Sequence, residues 1–380
     1  MNFELTDDQR LLTESVEKLL LARYGFDKRK QYASEPCGWS REIWHAFADL
    51  GLMGLTFPEK YGGFGASPVE TMLVMQSFGR HLVLEPYLAS VILAGGLVSR
   101  AGDDRQRQRI LPQIASGSLV AAFAHGEPQA RYNLADVVTQ ARREGEGWLI
   151  DGAKSFVIQG SGAELFVVSA RVAGSPRDTS GIALFLVSAD APGLQVTRYP
   201  TREGLHAADL RLSGVRLAAA DCLGEPGKAL PFIEGAVAAG AMATCADAVG
   251  AMQAALDVTA SYLKTRVQFG APLANLQALR HRLVDMLVML EQARSITMFG
   301  TVKLDSVAAE RDAAVSASKY IVGTAIRKIS QEAVQLHGGI GMTDEYIISH
   351  LFRRLSGLEK YFGDADFHLG MLANSRERLF

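Results

Sequence analysis

The sequence predicts an α+β fold that is mostly helical, with an antiparallel β domain between two helical domains. Apolar residues recur at helical spacing in the first part of the chain and again near its end, whereas short β-branched or alternating runs, separated by turn residues, fill the middle. The 380 residues are enough for two or three domains with a large core. We therefore predict a helical domain at 1–119, a β domain at 120–225 and a bundle of long helices, similar to a four-helix bundle, at 226–380.

Capping signals place the first helices. Thr6 followed by Gln9 matches a capping box in front of an apolar stripe. Ser40 precedes a segment with its apolar residues on one face. Ser67 and Pro68 supply the N-cap and the first position of a further helix.

The middle of the chain contains five predicted strands. Turn residues separate them, and Asp151-Gly152 predicts a tight turn of the hairpin type. The strands are expected near residues 119–124, 148–150, 165–170, 182–187 and 194–197.

Three long helices are predicted after residue 226, at 230–265, 277–302 and 308–335. Within the first, Ala236–Ala246 carries no charged residue and is dominated by Ala and Gly. A helix surface this small permits close approach of another backbone or of a flat ligand. Composition alone does not separate these two interpretations.

The charge balance argues against nucleic acid or a membrane surface as the main partner, because 39 Lys and Arg face 41 Asp and Glu. No apolar run approaches the ~20 residues that span a bilayer, so we expect no membrane insertion. The three Cys are far apart and form no CxxC motif, which is typical of a reducing compartment without disulfides or zinc. We therefore expect a cytoplasmic protein without a metal site. HExxH, GxSxG and P-loop motifs are absent from the sequence.

Polar residues and bare glycine flank the long helices. The segments are Arg266-Val267-Gln268-Phe269-Gly270-Ala271-Pro272, then Gln277, then Gln335-Leu336-His337-Gly338-Gly339-Ile340-Gly341. Arg carries a rigid fork of donors suited to phosphate, and paired Gly lets a ligand approach the backbone. In this order and spacing, the segments resemble the flavin-binding signature of the acyl-CoA dehydrogenase family. The order of helices, β domain and helices extends this resemblance to nearly the whole chain.

The resemblance implies FAD as cofactor, an acyl-CoA thioester as substrate, α,β-desaturation as reaction and electron-transfer flavoprotein as electron acceptor. It also implies a tetramer built as a dimer of dimers. The segment Phe362-Gly363-Asp364-Ala365-Asp366 is most similar to the small subunits of pimeloyl-CoA dehydrogenase, which are partners in two-component enzymes.

The chain departs from the family at the catalytic base. Phe362 stands where most members carry a catalytic Glu, and Gly240 stands at the alternative position on a helix. Asp364, or else Asp366, is the remaining candidate base. Two residues along a helix rotate a side chain by ~200°, so Asp364 needs a changed backbone to reach the usual site.

The residues that the resemblance assigns to FAD fall into two groups. A ring group contacts the isoalloxazine in family members, and here Gly126 and Ile158 replace hydrogen-bonding Thr; this group comprises Phe123, Gly126, Phe156 and Ile158. An adenine-diphosphate group reaches a neighbouring subunit's FAD and is retained; it comprises Arg266, Gln268, Phe269, Gln277, Gln335, Gly338 and Gly339. The segment that touches the CoA thioester arm is replaced by Arg131-Tyr132-Asn133.

Three hypotheses follow. The first is a non-catalytic or weakly catalytic subunit of a heteromeric FAD-dependent acyl-CoA dehydrogenase, bound to a paralogous subunit. The second is a homo-oligomeric flavoenzyme that uses Asp364 or Asp366 as base. The third is a flavin-free scaffold or regulatory protein on the same fold.

Overall fold

Six α-helices form the N-terminal part of the computed structural model, which describes residues 5–376. A π-helical segment, Leu88–Gly95, runs directly into the fifth helix. The helices are α1 Asp7–Arg23, α2 Phe26–Ala33, α3 Arg41–Asp49, α4 Pro68–His81, α5 Gly96–Ala101 and α6 Asp104–Ala115.

The capping predictions are confirmed at two helices. Thr6 and Gln9 form the reciprocal capping box of α1. The Ser67 hydroxyl accepts a hydrogen bond from the Val69 N–H at the start of α4, at 3.2 Å. Ser40 precedes α3, but its side chain makes no capping hydrogen bond.

The β domain is one eight-stranded sheet in the order β6-β7-β3-β2-β4-β5-β8, with β1 beside β4. Neighbouring strands are antiparallel, except that β1 runs parallel to β4 and β2 meets β4 in parallel at a single pair. The strands are β1 Ala121–Ala124, β2 Gln140–Glu144, β3 Gly147–Ile158, β4 Leu165–Arg171, β5 Ile182–Ser188, β6 Leu194–Pro200, β7 His206–Leu217 and β8 Cys222–Leu223.

The prediction of a turn at Asp151-Gly152 is wrong. The hairpin between β2 and β3 turns at Gly145, with φ +59°, whereas Gly152 lies inside β3 at a register shift. A Cβ on Gly152 would lie 2.7 Å from the Thr139 Cα, so the glycine permits a close backbone approach at this bulge.

Up to residue 376, five α-helices follow the β domain. A short β-hairpin with a two-residue turn connects the first two of these helices. Its strands are β9 Val267–Gln268 and β10 Ala271–Pro272. The helices are α7 Leu230–Thr265, α8 Gln277–Val302, α9 Ala308–His337, α10 Ile347–Lys360 and α11 Ala365–Arg376. The long-helix predictions are confirmed, since α7 and α8 have the predicted bounds and α9 extends two residues further.

The small residues of α7 serve partly for helix packing. A Cβ on Gly250 would lie 1.8 Å from the Gln76 carbonyl oxygen on α4, and one on Gly79 would lie 1.8 Å from that of Asp247. The backbones of α4 and α7 therefore cross in direct contact. The buried carboxylate of Asp247 on α7 also pairs with Arg354 of α10.

By length and composition alone, one helix is apolar enough to span a bilayer, so the expectation that no stretch could do so is wrong. An 18-residue window of α7 has a mean hydropathy of 1.3. However, 78% of that window is buried within the protein, so α7 is a core helix of this fold. Its apolar surface packs against protein.

Candidate cofactor and active site

A cavity of about 1110 Å³ lies between the β domain and the C-terminal helices. One wall comes from the chain after β1 and from β3, and the opposite wall comes from α7 and α9. The turn between α10 and α11, which contains Tyr361 and Phe362, closes one side. The cavity is large enough for a flat ring system or an acyl chain.

All four residues of the ring group line this cavity, as do Arg131, Tyr132 and Asn133. Phe156 adopts a positive φ of +51°, and its backbone N–H donates to Asp209 Oδ1 at 2.9 Å. Ile158 presents only a hydrocarbon side chain, and Gly126 presents none. At these positions the wall can therefore contact a ligand sterically, but it has no side-chain hydrogen-bond donor.

A buried ion pair supports this wall from behind. Lys154 Nζ lies 2.6 Å from Glu127 Oε1, and both side chains are buried. Glu127 also accepts hydrogen bonds from the backbone N–H groups of Val138 and Thr139, at 2.8 and 3.2 Å. Burial would raise the pKa of Glu127, but the Lys154 ammonium and these donors lower it. The pair locks the segment that carries Gly126 onto β3.

His125 completes that buried cluster. Its Nδ1 lies 2.9 Å from the Ser169 hydroxyl, which also accepts from Lys154 Nζ at 3.0 Å. Burial, reinforced by the Lys154 charge, lowers the pKa of His125 to about 3. His125 is therefore a neutral hydrogen-bonding residue in the cavity wall at physiological pH.

The two positions that carry the base in family members face each other. A Cβ on Gly240 would lie 2.7 Å from Cζ of Phe362 and 2.9 Å from Cδ2 of Leu93. The Phe362 ring thus packs directly over the bare backbone of Gly240. Neither residue supplies a carboxylate, and the ring fills the space that a longer side chain at residue 240 would need.

The structure places Asp364 at the start of α11 as a capping residue. Its Oδ1 accepts the Phe367 N–H at 2.9 Å, and its Oδ2 lies 3.4 Å from Lys360 Nζ. The hydrogen bond from Phe367 and the Lys360 charge lower the pKa of this carboxyl group, although burial opposes them. Asp366 is exposed and lies 3.8 Å from Arg327. Asp364 and Asp366 do not line the cavity.

The first part of the adenine-diphosphate group forms an exposed hairpin. Phe269 and Gly270 both have positive φ, +53° and +80°, as a two-residue hairpin turn of this hand requires. The Phe269 side chain is 93% exposed, and Arg266, Gln268 and Gln277 are exposed as well. The hairpin therefore projects an aromatic ring and a guanidinium group away from the protein.

The second part of this group ends α9. Gly338 has φ +63° and ψ −143°, a region that is essentially restricted to Gly. Cβ atoms on Gly338 and Gly339 would meet no atom within 4 Å, and Gln335 beside them is exposed. Tyr262 at the end of α7 stacks on His337, with ring centroids 4.4 Å apart, and so holds the two parts of the group together.

The structure thus separates the two groups in space. The ring group lines the cavity, whereas none of the seven adenine-diphosphate residues does. The exposed group fits a ligand that approaches from outside, because it combines a cation, an open glycine backbone and an aromatic ring. In the cavity, the volume suits a flavin ring, but Gly126 and Ile158 carry no side chain that could form a hydrogen bond with it.

Several cavity residues are not predicted from the sequence. Glu203 and Tyr361 are buried and hydrogen-bonded to each other, and His368 Nε2 donates to the Phe362 carbonyl oxygen at 3.0 Å. Glu203 lies in a loop with turn residues around it, so its sequence context indicates only a surface turn. Only the packing of that loop against α10 reveals it. The described residues contain no cluster of three His, Cys, Asp or Glu side chains suited to a metal ion.

Comparison with known proteins decides the family. Three models match in sequence order: the acyl-CoA dehydrogenase N-terminal domain at residues 6–118, the middle domain at 122–216 and the C-terminal domain at 230–376. The chain belongs to the acyl-CoA dehydrogenase family. It is an FAD-dependent oxidoreductase of the class that acts on CH–CH bonds of acyl-CoA thioesters.

Individual relatives cover the full chain. The protein is 30% identical over 385 residues to the probable acyl-CoA dehydrogenase YngJ of Bacillus subtilis, with 100% of both chains covered. Among solved structures, it is similar to the ChsE4-ChsE5 complex of Mycobacterium tuberculosis, at 25% identity, a TM-score of 0.89 and 99% coverage of each chain. It is also similar to a variant of the Tcur3481-Tcur3483 steroid ACAD, at 26% identity, a TM-score of 0.88 and 98% coverage of each chain.

Proposed function

We propose that this acyl-CoA dehydrogenase is the non-catalytic or weakly catalytic subunit of a two-component enzyme, and that it completes the FAD site of a paralogous catalytic subunit. The observation that carries the proposal is that the adenine-diphosphate group keeps the residues of the family pattern, whereas the ring group and the base positions do not. The residues that the family resemblance assigns to the adenine-diphosphate group are all present, whereas Phe362 and Gly240 stand at the two base positions.

The exposed group supports a role toward a second chain. A ring as exposed as Phe269 gains nothing from burial within its own chain. Arg266 is the cation of this group and suits a pyrophosphate. A lone chain has no physical need for these features on its surface, but a neighbour's cofactor would bury them.

The cavity supports limited catalysis by this chain. Desaturation needs a carboxylate at the α-carbon and donors that hold the thioester oxygen and the flavin ring. FAD, when bound, supplies the hydride acceptor. Here Phe362 and Ile158 leave two of these requirements unmet at the usual positions. Asp364 does not replace the base, since it caps α11.

The partner in this proposal is a paralogue with Glu at the position of Phe362, as in the small-subunit arrangement that the segment 362–366 resembles. The similarity to the ChsE4-ChsE5 and Tcur3481-Tcur3483 structures, each named for two chains, supports a two-component assembly. Electron-transfer flavoprotein is the proposed acceptor and the cytoplasm the proposed compartment.

The test is FAD retention by the complex of this chain with such a paralogue. Arg266→Ala removes a charge-assisted contact of roughly 1.5–3 kcal/mol, so the FAD dissociation constant should rise by about 10-fold or more. Arg105→Ala on α6 is the matched control, because it removes one exposed Arg from a distant helix. Equal FAD affinity of the two variants would show that Arg266 is a surface residue without a cofactor role.

A further inference from the structure

Four carboxylates line the cavity within the described residues, and they differ in burial and in partners. A carboxylate can act as a base only if it is near the reacting carbon and not already neutralised by a cation. The four are Glu127, Glu203, Glu234 and Asp312.

Glu127 does not meet this condition. Lys154 lies 2.6 Å from its Oε1, and two backbone N–H groups hold its oxygens. Because these contacts stabilise the anion, the pKa of Glu127 is lowered despite burial. The carboxylate is a structural anchor for the cavity wall and a weak proton acceptor.

Glu234 and Asp312 lie at a different part of the cavity. Glu234 precedes Gly240 by six residues on α7, which is about 9 Å along the helix axis. Asp312 on α9 pairs with Arg311, 2.8 Å away, and its side chain is 52% exposed. Glu234 is therefore separated along α7 from the place where Phe362 covers Gly240, and Asp312 is half exposed and already paired with a cation.

Glu203 is buried beside that place. It is 8% exposed, and its Oε1 accepts a hydrogen bond from the Tyr361 hydroxyl. The Tyr361 ring lies 5.7 Å from the ring of Phe156 and 6.4 Å from that of Phe362, centroid to centroid. Through Tyr361, Glu203 on the β6–β7 loop thus connects to the ring group at Phe156 and to the base position at Phe362.

The second oxygen of Glu203 is available to a ligand. Within residues 5–376, Oε2 receives no hydrogen bond, while the side chain lines the cavity and packs against Gly357 of α10. A Cβ on Gly357 would lie 3.0 Å from the Glu203 carboxyl carbon, so the side chain is held in place by packing as well as by Tyr361. Its position is fixed before any substrate binds.

We propose that Glu203 is the carboxylate that takes the α-proton of an acyl-CoA thioester in this cavity, in place of the Glu that Phe362 replaces. The C–H bond breaks, the proton moves to Glu203, and the electron pair delocalises onto the thioester oxygen as an enolate. Return of a proton from Glu203 to the same carbon restores the thioester, so the step involves no redox change. The inference rests on the proposed acyl-CoA chemistry but is independent of the partner role.

The test is α-proton exchange in D₂O, followed by NMR, with the full-length chain, FAD, and butyryl-CoA and octanoyl-CoA as probes. A general base contributes ~10²–10⁴ in rate, so Glu203→Gln should slow exchange by at least ~100-fold. Gln keeps an acceptor for the Tyr361 hydroxyl, and acyl-CoA dissociation constants measured by calorimetry should stay within about threefold. Glu146→Gln, at an exposed carboxylate in the β2–β3 turn, is the matched control and should retain the exchange rate.

Two results would overturn the inference. One is exchange that Glu203→Gln leaves unchanged. The other is acyl-CoA binding without measurable exchange in the unaltered chain, which leaves the proposed function intact. Absence of acyl-CoA binding to this chain also overturns the inference, but it leaves the partner role intact. If Glu203→Gln does not fold, Glu203→Asp replaces it as the test variant. Asp has one methylene fewer, so its carboxylate lies further from the substrate. Exchange should slow by ~10-fold or more, with acyl-CoA binding retained.

Discussion

Phe362 and Gly240 are the two residues on which the proposed role depends most. The sequence places a non-acidic residue at each base position, but it cannot show that the two touch. In the structure, the Phe362 ring occupies the space above Gly240, and Phe362 itself adopts φ +60°. The two departures from the family pattern are therefore one packed unit, and a longer side chain at residue 240 requires a smaller one at residue 362.

This contact makes a prediction about stability. Gly240→Ala places a Cβ 2.7 Å from the Phe362 ring, and such overpacking costs about 1–3 kcal/mol. In the Phe362→Ala background the same substitution should cost less, because the ring is gone, Ala favours the helix, and only the flexible end of Leu93 remains close to the new Cβ. Denaturation of the four proteins gives the coupling energy. Additive effects would show that the two side chains do not meet.

Sequence patterns predict residues well where a motif has a fixed spacing, and poorly where only folding brings residues together. The hairpin with Arg266 and the turn with Gly338 are continuous segments, so the sequence alone is enough to propose both as cofactor contacts. Glu203 becomes a site residue only through its hydroxyl partner Tyr361, 158 residues away in the sequence. A local sequence pattern does not predict a contact between residues so far apart in the sequence.

At the scale of elements, a buried carboxyl group joins the N-terminal helices. Glu85 Oε2 accepts from the Tyr24 hydroxyl at the end of α1, at 2.7 Å, and its Oε1 accepts the N–H of Ser40 before α3, at 3.2 Å. Burial raises the pKa of Glu85 from 4.5 to about 7, although these hydrogen bonds act to lower it. The folded protein therefore keeps this group protonated at a pH where the unfolded chain ionises it.

The raised pKa of Glu85 makes the stability of the folded protein depend on pH. The contribution of Glu85 to stability is fully present below pH 4.5 and is lost as the pH rises through about 7. The full change is about 3 kcal/mol, at 1.36 kcal/mol for each unit of pKa shift. Glu85→Gln cannot ionise, so its stability relative to the unaltered protein should rise by up to this amount between pH 4.5 and 8. Denaturation across this range measures the difference.

Glu14→Gln is the control for this experiment, because Glu14 is an exposed carboxylate on α1. Its stability should follow that of the unaltered protein at each pH. Parallel pH profiles for Glu85→Gln and the unaltered protein would contradict the assignment of the titration to Glu85.

Element prediction from the sequence succeeded at α1, where a capping box precedes an apolar stripe, and at the long helices α7 and α8. It missed β2 and β7. The β2 sequence Gln140–Glu144 is mostly polar and exposed, so it lacks the apolar signal of a strand. In β7, Ala, Gly and charged residues interrupt the alternation, and pairing with β3 and β6 on its two sides supplies the stability that the sequence does not indicate.

At the scale of the whole molecule, α8 carries an apolar stripe on its surface. Val284, Leu287 and Val288 lie at helical spacing and are 55%, 44% and 52% exposed. A contiguous apolar face of this kind is typical of an interface between subunits. In the proposed assembly, the adenine-diphosphate group at the ends of α7 and α9 also contacts a neighbouring chain.

We therefore expect a dimer of dimers. Val288→Glu should place a charge in the interface and yield smaller species by light scattering at micromolar concentration, with helix content retained. Leu21→Glu is the matched control, because Leu21 is 73% exposed on α1, far along the chain from α8. A monomer for the unaltered chain, both alone and with its partner, would contradict the assembly.

Flavin content tests most directly whether this chain serves a cofactor held mainly by another subunit. The measurement is the visible absorbance spectrum of the chain purified alone and after co-expression with a paralogue that carries Glu at the position of Phe362. We expect little or no flavin in the chain alone and bound FAD in the complex. Stoichiometric FAD in the chain alone would contradict the partner role, as would a complex that contains no flavin.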